Sequence, residues 1–294
     1  MDSTNTIDVD MPPSYGSQEY WNQRFTSETE PFEWLEAPHV LDPFLLDAFQ
    51  TCRDAEPKLL HIGCGTSMLS QHLKTLVKTP GQIHNLDYSE VAVDLGRRRE
   101  KELSRTDRVG DRPTTNDAAG SLMHWDAVDM LDHKSLLRAC KPGTYSFIVD
   151  KSTSDCIACS DDVKTPLPYP IDIPSAGSLD LSIREAPEPI HPLHILAVHL
   201  ALVTKPGARW IALSYSNDRF PFADGLYSSR PHLPGFPDTG LLWKLVEKLE
   251  IGGEEEPEPY VSAAGTVAHQ PKVVHWVYVL QRTEIPLHVR GGHL

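Results

Sequence analysis

The sequence predicts an α/β protein built on a mostly parallel sheet with helices on both faces, and three observations carry that prediction. Short apolar runs alternate with stretches of helical periodicity from Leu59 to Tyr215, the pattern of βαβ units with right-handed crossovers. Most of those runs end in glycine or an acid: Gly63 and Gly65, Asp87, Asp129 and Asp150. The segment 272–281 alternates Val273, His275, Val277 and Val279 as a terminal strand does. In a sheet of this kind ligands sit at the carboxyl ends of the strands, near the point where strand order reverses. Seven strands are within reach of the chain.

Taken in order, residues 1–14 are polar, end in Met11-Pro12-Pro13-Ser14, and read as a disordered tail. A single domain is expected over 15–294, opening with an aromatic cap at 15–57. That cap holds Tyr20, Trp21, Phe25, Phe32 and Trp34, a density that suits either packing of an added helix or a lid over a ligand. Val40 to Cys52 has the spacing of a helix with one buried face.

Leu59 to Ile62 is a buried strand, and Gly63-Cys64-Gly65-Thr66-Ser67 turns it into a helix capped by Thr66 or Ser67 and running through Leu69, Leu73, Leu76 and Val77. Met68 stands where a dinucleotide fingerprint has its third glycine, which weakens nicotinamide or flavin binding. Asp87 ends the second strand, Gln82 to Leu86, at the distance expected of a ribose-holding acid. A helix follows whose basic run, 97–101, reads as a solvated face. Residues 104–121 read as a surface loop, Asp126 to Met130 as a third strand and Tyr145 to Asp150 as a fourth. The proline-rich 164–192 reads as an irregular, substrate-facing or variable excursion. Leu193 to Val203 is helical, Ala208 to Tyr215 a fifth strand and Asp238 to Leu249 a further helix.

Composition sets limits. The 294 residues carry a formal charge of −14, which argues against a nucleic-acid binder that needs clustered cations. The longest apolar run, Ile195 to Val203, falls short of the roughly 20 residues that span a bilayer. The acidic, polar first ten residues lack the marks of a signal or transit peptide, so a cytoplasmic setting is expected, without nucleic-acid or membrane partners. Five scattered cysteines predict reduced thiols. Cys156-Ile157-Ala158-Cys159 has redox or metal spacing but lacks a second pair or a nearby histidine, so no metal is expected.

Several motifs in register resemble one family. Tyr20-Trp21-Asn22-Gln23-Arg24-Phe25 with Phe32-Glu33-Trp34, Ile62-Gly63-Cys64-Gly65-Thr66-Ser67, Leu86-Asp87-Tyr88-Ser89, His124-Trp125 with Asp129-Met130, Asp150-Lys151-Ser152-Thr153-Ser154-Asp155 and Pro206-Gly207-Ala208-Arg209-Trp210-Ile211 are similar to the class I S-adenosylmethionine-dependent methyltransferases. Within them they resemble the group containing the lysine methyltransferases of elongation factor 1-alpha. The resemblance covers about Tyr20 to Arg282. It departs at 152 and 154, where the group has glycine and leucine.

The resemblance implies a seven-stranded Rossmann-like sheet with an antiparallel last strand, S-adenosyl-L-methionine as cofactor and a lysine of a protein partner as methyl acceptor. Gly63, Cys64 and Gly65 would approach the amino-acid end of the cofactor, Asp87 its ribose, and Tyr88, Asp129 and Met130 its adenine. Trp21, Phe25 and Trp34 would close over it, their ring faces suiting a sulfonium. Lys151 would pair with the cofactor carboxylate or a neighbouring acid. Asp150 and Asp155 are the candidate catalytic acids, steering the lysine and relaying its proton. A small-molecule O- or N-methyltransferase and a catalytically silent cofactor-binding module are the alternatives.

Overall fold

The computed structural model describes residues 13–106, 122–174, 184–225, 233–252, 260–261, 267–268 and 273–290. Seven strands form its main sheet: β1 (Leu59–Ile62), β2 (Ile83–Asp87), β3 (His124–Ala127), β4 (Tyr145–Lys151), β5 (Thr204–Ser214), β6 (Trp243–Ile251) and β7 (His275–Arg282). Their spatial order is β3-β2-β1-β4-β5-β7-β6. The first five are mutually parallel, and β7 runs antiparallel between β5 and β6. The expected fold class is the one found.

The topology itself places the site. The chain leaves β1 toward β2 and β3 on one side and returns through β4 on the other, so the strand order reverses at β1. Register brings the strand ends level: Ile62 lies opposite both Leu86 and Asp150, and Asp87 opposite Ala127. Gly63, Asp87, Asp129 and Lys151 therefore share one edge of the sheet.

Both faces are covered, as the near-continuous apolar runs of β1, β2 and β4 require. On one face α7 (Pro192–Val203) is buried almost all round, with Leu196, Ala197 and Val198 fully enclosed. The apolar run that could not cross a bilayer is thus a core helix, and no helix among the described residues is long and apolar enough to span a membrane. On the other face α2 (Asp42–Thr51), α3 (Leu69–Leu73) and α4 (Glu90–Thr106) set Leu45, Leu69, Leu73 and Val93 against Phe147, Val149, Ile211 and Val277. A third, smaller cluster joins α1 (Gln18–Ser27) to α4 through Trp21, Phe25 and Ala92.

The largest departure from expectation is Asp238 to Leu249. Only Thr239–Leu242 is helical (α8), and the rest is β6. The apolar positions 241, 242, 245 and 249 fit a helix, but Trp243 and Leu245 also alternate as a strand does. Pairing along the open edge of β7 decides between them, a case of tertiary context overriding local pattern. The helix after the glycine turn stops at Leu73 rather than Val77, and β3 ends at Ala127, just short of Asp129.

The excursion at 164–192 is partly structured. Pro166–Leu167 pairs with Arg184–Glu185, Ile171–Asp172 pairs with His288–Val289, and Leu167, Tyr169 and Ile171 are buried against the α7 face. The expected loop at 104–121 begins late, because α4 runs to Thr106. Residues 107–121, 175–183 and 1–12, which hold most of that loop, part of the excursion and nearly all of the expected tail, lie outside the described residues.

Candidate functional site

A cavity of about 380 Å³ opens at the carboxyl ends of β1, β2 and β4 and is roofed by α1 and the segment after it. That volume lies in the range of small-molecule and cofactor sites. Its floor is the glycine turn. Gly63 adopts φ +57°, and a Cβ there would lie 2.1 Å from Thr153 Oγ1, so only glycine lets β1 pass so close to the start of α6 (Thr153–Ala158).

Asp87 braces the turn. Its carboxylate accepts from Gly65 N and Ser89 N, each at 2.9 Å, while the side chain still lines the cavity. Burial pushes its pKa up to about 6 against the lowering pull of those amides. Tyr88 lies beside it, half-buried, its hydroxyl pKa raised by burial and then by the Asp87 charge. Asp129 sits on the exposed rim and accepts from Leu131 N at 2.9 Å. Met130 next to it is buried, and its carbonyl accepts from His199 Nδ1 at 2.7 Å.

The roof is aromatic. Trp21 and Phe25 project from α1 with ring centroids 5.5 Å apart, and Trp34 lies 5.9 Å from Trp21. Arg24 stacks its guanidinium over Phe32 at 4.7 Å and Trp34 at 5.2 Å. This cluster is fastened by Glu33, which accepts from Ser67 Oγ (2.8 Å), Met68 N (2.6 Å) and Lys151 Nζ (2.7 Å). Lys151, whose side chain is 3% exposed, also donates to the carbonyls of Trp34 and Glu36. Desolvation lowers its pKa, opposed chiefly by Glu33. Ser67, one of the two expected caps, accepts from Leu69 N, the first amide of α3, at 3.0 Å, and the amide of Met68 just before that helix is met by Glu33.

Of the residues expected from sequence to hold a cofactor, all eleven line this cavity: Trp21, Phe25, Trp34, Gly63, Cys64, Gly65, Asp87, Tyr88, Asp129, Met130 and Lys151. Lys151 pairs with the neighbouring acid Glu33, one of its two expected partners. Asp150 and Asp155 do not line it. Asp150 is wholly buried beneath α6, accepting from Thr153 N, Ser154 N, Ser154 Oγ and Trp210 Nε1. Burial, together with the charge of Asp155, raises its pKa to about 6 against those hydrogen bonds. Asp155 accepts from Ser152 Oγ (2.7 Å), Ser214 Oγ and Tyr215 N, and pairs with Arg219 Nε at 2.8 Å.

The two departures from the group's signature supply part of this enclosure. Ser152 bonds Asp155 and Ser154 bonds Asp150. Ser152 also sits at φ +69°, a left-handed backbone at the position where the group has glycine, and a side chain there costs about 1–2 kcal/mol.

Sequence reasoning missed three contributors. Glu33 lay inside a segment read for its aromatics. His61 of β1 lines the cavity, with Nδ1 3.0 Å from Ser70 Oγ and 3.1 Å from Asn85 Oδ1. Burial lowers its pKa to about 4, so it is neutral at pH 7. Asn85 Nδ2 donates to His124 O, which turns its carbonyl toward His61 and leaves Nδ1 as the protonated nitrogen. Arg99, read as part of a solvated face, donates to Thr66 O and Thr29 O and ties the glycine turn to the roof.

No protein-family model matches the chain. It is similar to the methyltransferase srdJ of Neurospora crassa, 31% identical over 150 residues, which are 51% of this chain and 57% of that relative. The match thus spans little more than half of the relative's length. Among solved structures it is similar to the N-methyltransferase NodS of Bradyrhizobium japonicum WM9 in complex with S-adenosyl-L-homocysteine, at 13% identity and a TM-score of 0.48, covering 93% of this chain and 100% of that one. It is also similar to the magnesium protoporphyrin IX methyltransferase ChlM of Synechocystis PCC 6803 with bound S-adenosylmethionine, at 9% identity and a TM-score of 0.47, covering 94% and 100%.

Proposed function

We propose that this chain is an S-adenosylmethionine-dependent methyltransferase whose acceptor is an uncharged small molecule. The observation that carries the reading is the convergence of eleven residues, spread from Trp21 to Lys151, on one cavity at the switch point of the sheet. The cavity fits the cofactor in chemistry as well as place. Gly63 and Gly65 set a backbone turn on the cavity floor, Asp87 and Asp129 offer acceptors for a diol and an exocyclic amine, and Tyr88 and Met130 supply walls for a base. The 31% identical relative, itself a methyltransferase, supports the same reading.

When bound, S-adenosylmethionine supplies an electrophilic methyl group on a sulfonium. Trp21, Phe25 and Trp34 line the cavity, and a cation set over an aromatic face is attracted by about 0.5–2 kcal/mol. Lys151 would oppose it, but its ammonium is neutralised by Glu33 at 2.7 Å. Methyl transfer needs alignment of acceptor and donor more than a covalent intermediate, and a roof fastened at Glu33 and Arg99 provides alignment and excludes water.

What faces the cavity bears on the acceptor. A lysine arrives protonated and needs an acid to steer it and take its proton. Asp150 and Asp155, the acids expected in that role, are consumed by internal partners. Tyr15, Phe32, Trp34, Leu131 and Ile157 give the lining an apolar character instead. The protein-lysine reading is supported by the motifs shared with the elongation factor 1-alpha group, and Asp129 and Glu28 are the acids at the cavity free of such enclosure.

Incubating the protein with methyl-labelled S-adenosylmethionine and a fractionated extract separates the readings. Label in the small-molecule fraction is the expected result, and label on protein lysines would replace it with the second reading. Absence of transfer together with absence of cofactor binding by equilibrium dialysis would overturn both.

A further inference from the structure

The Cys156-Ile157-Ala158-Cys159 motif, set aside in sequence as lacking a metal partner, lies at the end of α6 on the cavity wall. Cys156 lines the cavity and Cys159 is exposed to solvent. The chain winds tightly here: Cys159 N donates to Cys156 O at 3.1 Å and Ser160 N to Ile157 O at 3.0 Å. Two successive i to i+3 bonds make a 3₁₀ turn, in which side chains three apart eclipse one another. The two side chains therefore leave the chain on the same side of the turn. The corresponding Cβ atoms stand about 5–6 Å apart in such a turn, and a disulfide needs about 3.5–4.5 Å, so closure bends the chain at the end of α6 rather than winding it tighter.

We infer that Cys156 and Cys159 form a reversible disulfide under peroxide and that this bond reshapes the wall of the cavity. The exposed thiol reacts first. The Cys159 thiolate attacks one oxygen of hydrogen peroxide, breaking the O–O bond and leaving a sulfenic acid and hydroxide. The Cys156 sulfur then attacks the sulfenic sulfur, the S–S bond forms, and the hydroxyl leaves as water with the Cys156 proton. Two thiols are oxidised by two electrons and one peroxide is reduced to two waters. Burial pushes the Cys156 thiol up to about 12, so the exposed Cys159 is the thiol that meets peroxide first and Cys156 is its resolving partner.

Closure acts on the cavity through the neighbours of the turn. Ile157 and Ser160 line the cavity beside Cys156. Ser160 Oγ donates to Gly16 O at 3.4 Å, which joins the end of α6 to the chain entering the aromatic roof. Drawing Cys156 toward Cys159 pulls a lining side chain outward and displaces that joint. The consequence for cofactor binding rests on the methyltransferase reading, whereas bond formation and the movement of the roof do not.

The test uses the full chain, reduced and then exposed to hydrogen peroxide. Expected are a loss of two hydrogens in intact mass, a linked peptide joining positions 156 and 159, and a change in the emission of Trp21 and Trp34. S-adenosylmethionine affinity should fall about fivefold or more, within the usual range of coupled sites, and dithiothreitol should restore it. Cys159→Ser should bind as the reduced wild type does and respond to peroxide in none of these readouts. Accumulation of sulfinic acid at Cys159 without the linked peptide would overturn the inference, as would a linked protein with unchanged emission and affinity. If the reduced protein fails to bind S-adenosylmethionine, the methyltransferase reading falls, and the linked peptide and emission still decide the thiol pair.

Discussion

Glu33→Gln tests the fastening of the roof most directly, because one carboxylate meets three donors there. The amide keeps the shape and loses the charge. Its nitrogen must face Lys151 or one of the donors Ser67 and Met68, so at least one donor meets another donor. A fully buried ion pair broken from one side costs about 3–5 kcal/mol. Glu33 keeps 28% of its side-chain surface, and Lys151 retains the carbonyls of Trp34 and Glu36, which brings the expected loss to about 2–3 kcal/mol, the range of hydrogen bonds to charged groups. At roughly 2–4 °C per kcal/mol for a large domain, the melting temperature should drop by at least about 4 °C.

The pH dependence gives this prediction a second edge. Lys151 already has a lowered pKa, and Glu33 is the main influence raising it, so the variant lowers it further. Between that lowered value and the unfolded value of about 10.4 the unfolded chain binds more protons than the native one, and stability rises with pH. The deficit of Glu33→Gln should therefore be full at neutral pH and narrow as pH rises through the variant's lowered pKa. Urea denaturation of both proteins at pH 7 and pH 9.5 reads this out. A melting temperature within a degree of wild type, or a deficit that ignores pH, would refute the fastening argument.

Other predictions follow from the same geometry. Gly63→Ala meets both a left-handed backbone and Thr153 at 2.1 Å, whereas Gly143→Ala at φ +59° meets nothing within 4 Å; a difference of about 1–3 kcal/mol, the cost of overpacking, should separate their denaturation midpoints. Asp87 and Asp150 have native pKa values of about 6, above the unfolded value of 3.8. The native state therefore holds protons that the unfolded chain has released, and their contribution to stability falls as pH rises from about 4 to 6. Asp150→Asn should flatten that part of the stability profile, which calorimetry across the window would show. Asp155→Asn should destabilise the fold by about 1–3 kcal/mol through the buried Arg219 left facing an amide, while the pH profile of single-turnover methyl transfer stays as in wild type; a shifted profile would return Asp155 to the chemistry.

The fold was largely legible because each early strand ends in a residue that its own apolar run does not need. Gly63 after Leu59–Ile62 and the carboxylate of Asp87 after Ile83–Leu86 break the strand pattern at the edge where ligands sit. β6 was not legible, since the spacing of Leu241, Leu242, Leu245 and Leu249 satisfies a helix as well as a strand, and the partner that decides, β7, comes more than 20 residues later. Glu33 was obscured by the same distance in reverse. Its donors Ser67, Met68 and Lys151 are 34, 35 and 118 positions away, and local pattern offers no sign of such a partner.

That Asp150 and Asp155 lie off the cavity wall is a different case, because the information was present. Neighbours on a strand face opposite ways, so once Lys151 at the end of β4 is assigned to the cavity, Asp150 belongs to the other side, where Trp210 of β5 receives it. On α6, Thr153, Cys156, Ile157 and Ser160 recur at helical spacing and line the cavity, which leaves Ser154 and Asp155 to the opposite face and to Ser214 and Arg219. The residue types suggested a place at the cavity, and the periodicity sets both side chains away from it. Ser152 and Ser154 then complete the enclosure of both acids from within the same short segment. Asp150 and Asp155 thus belong to the packing beneath α6, and the acids that do line the cavity are Glu28, Asp87 and Asp129.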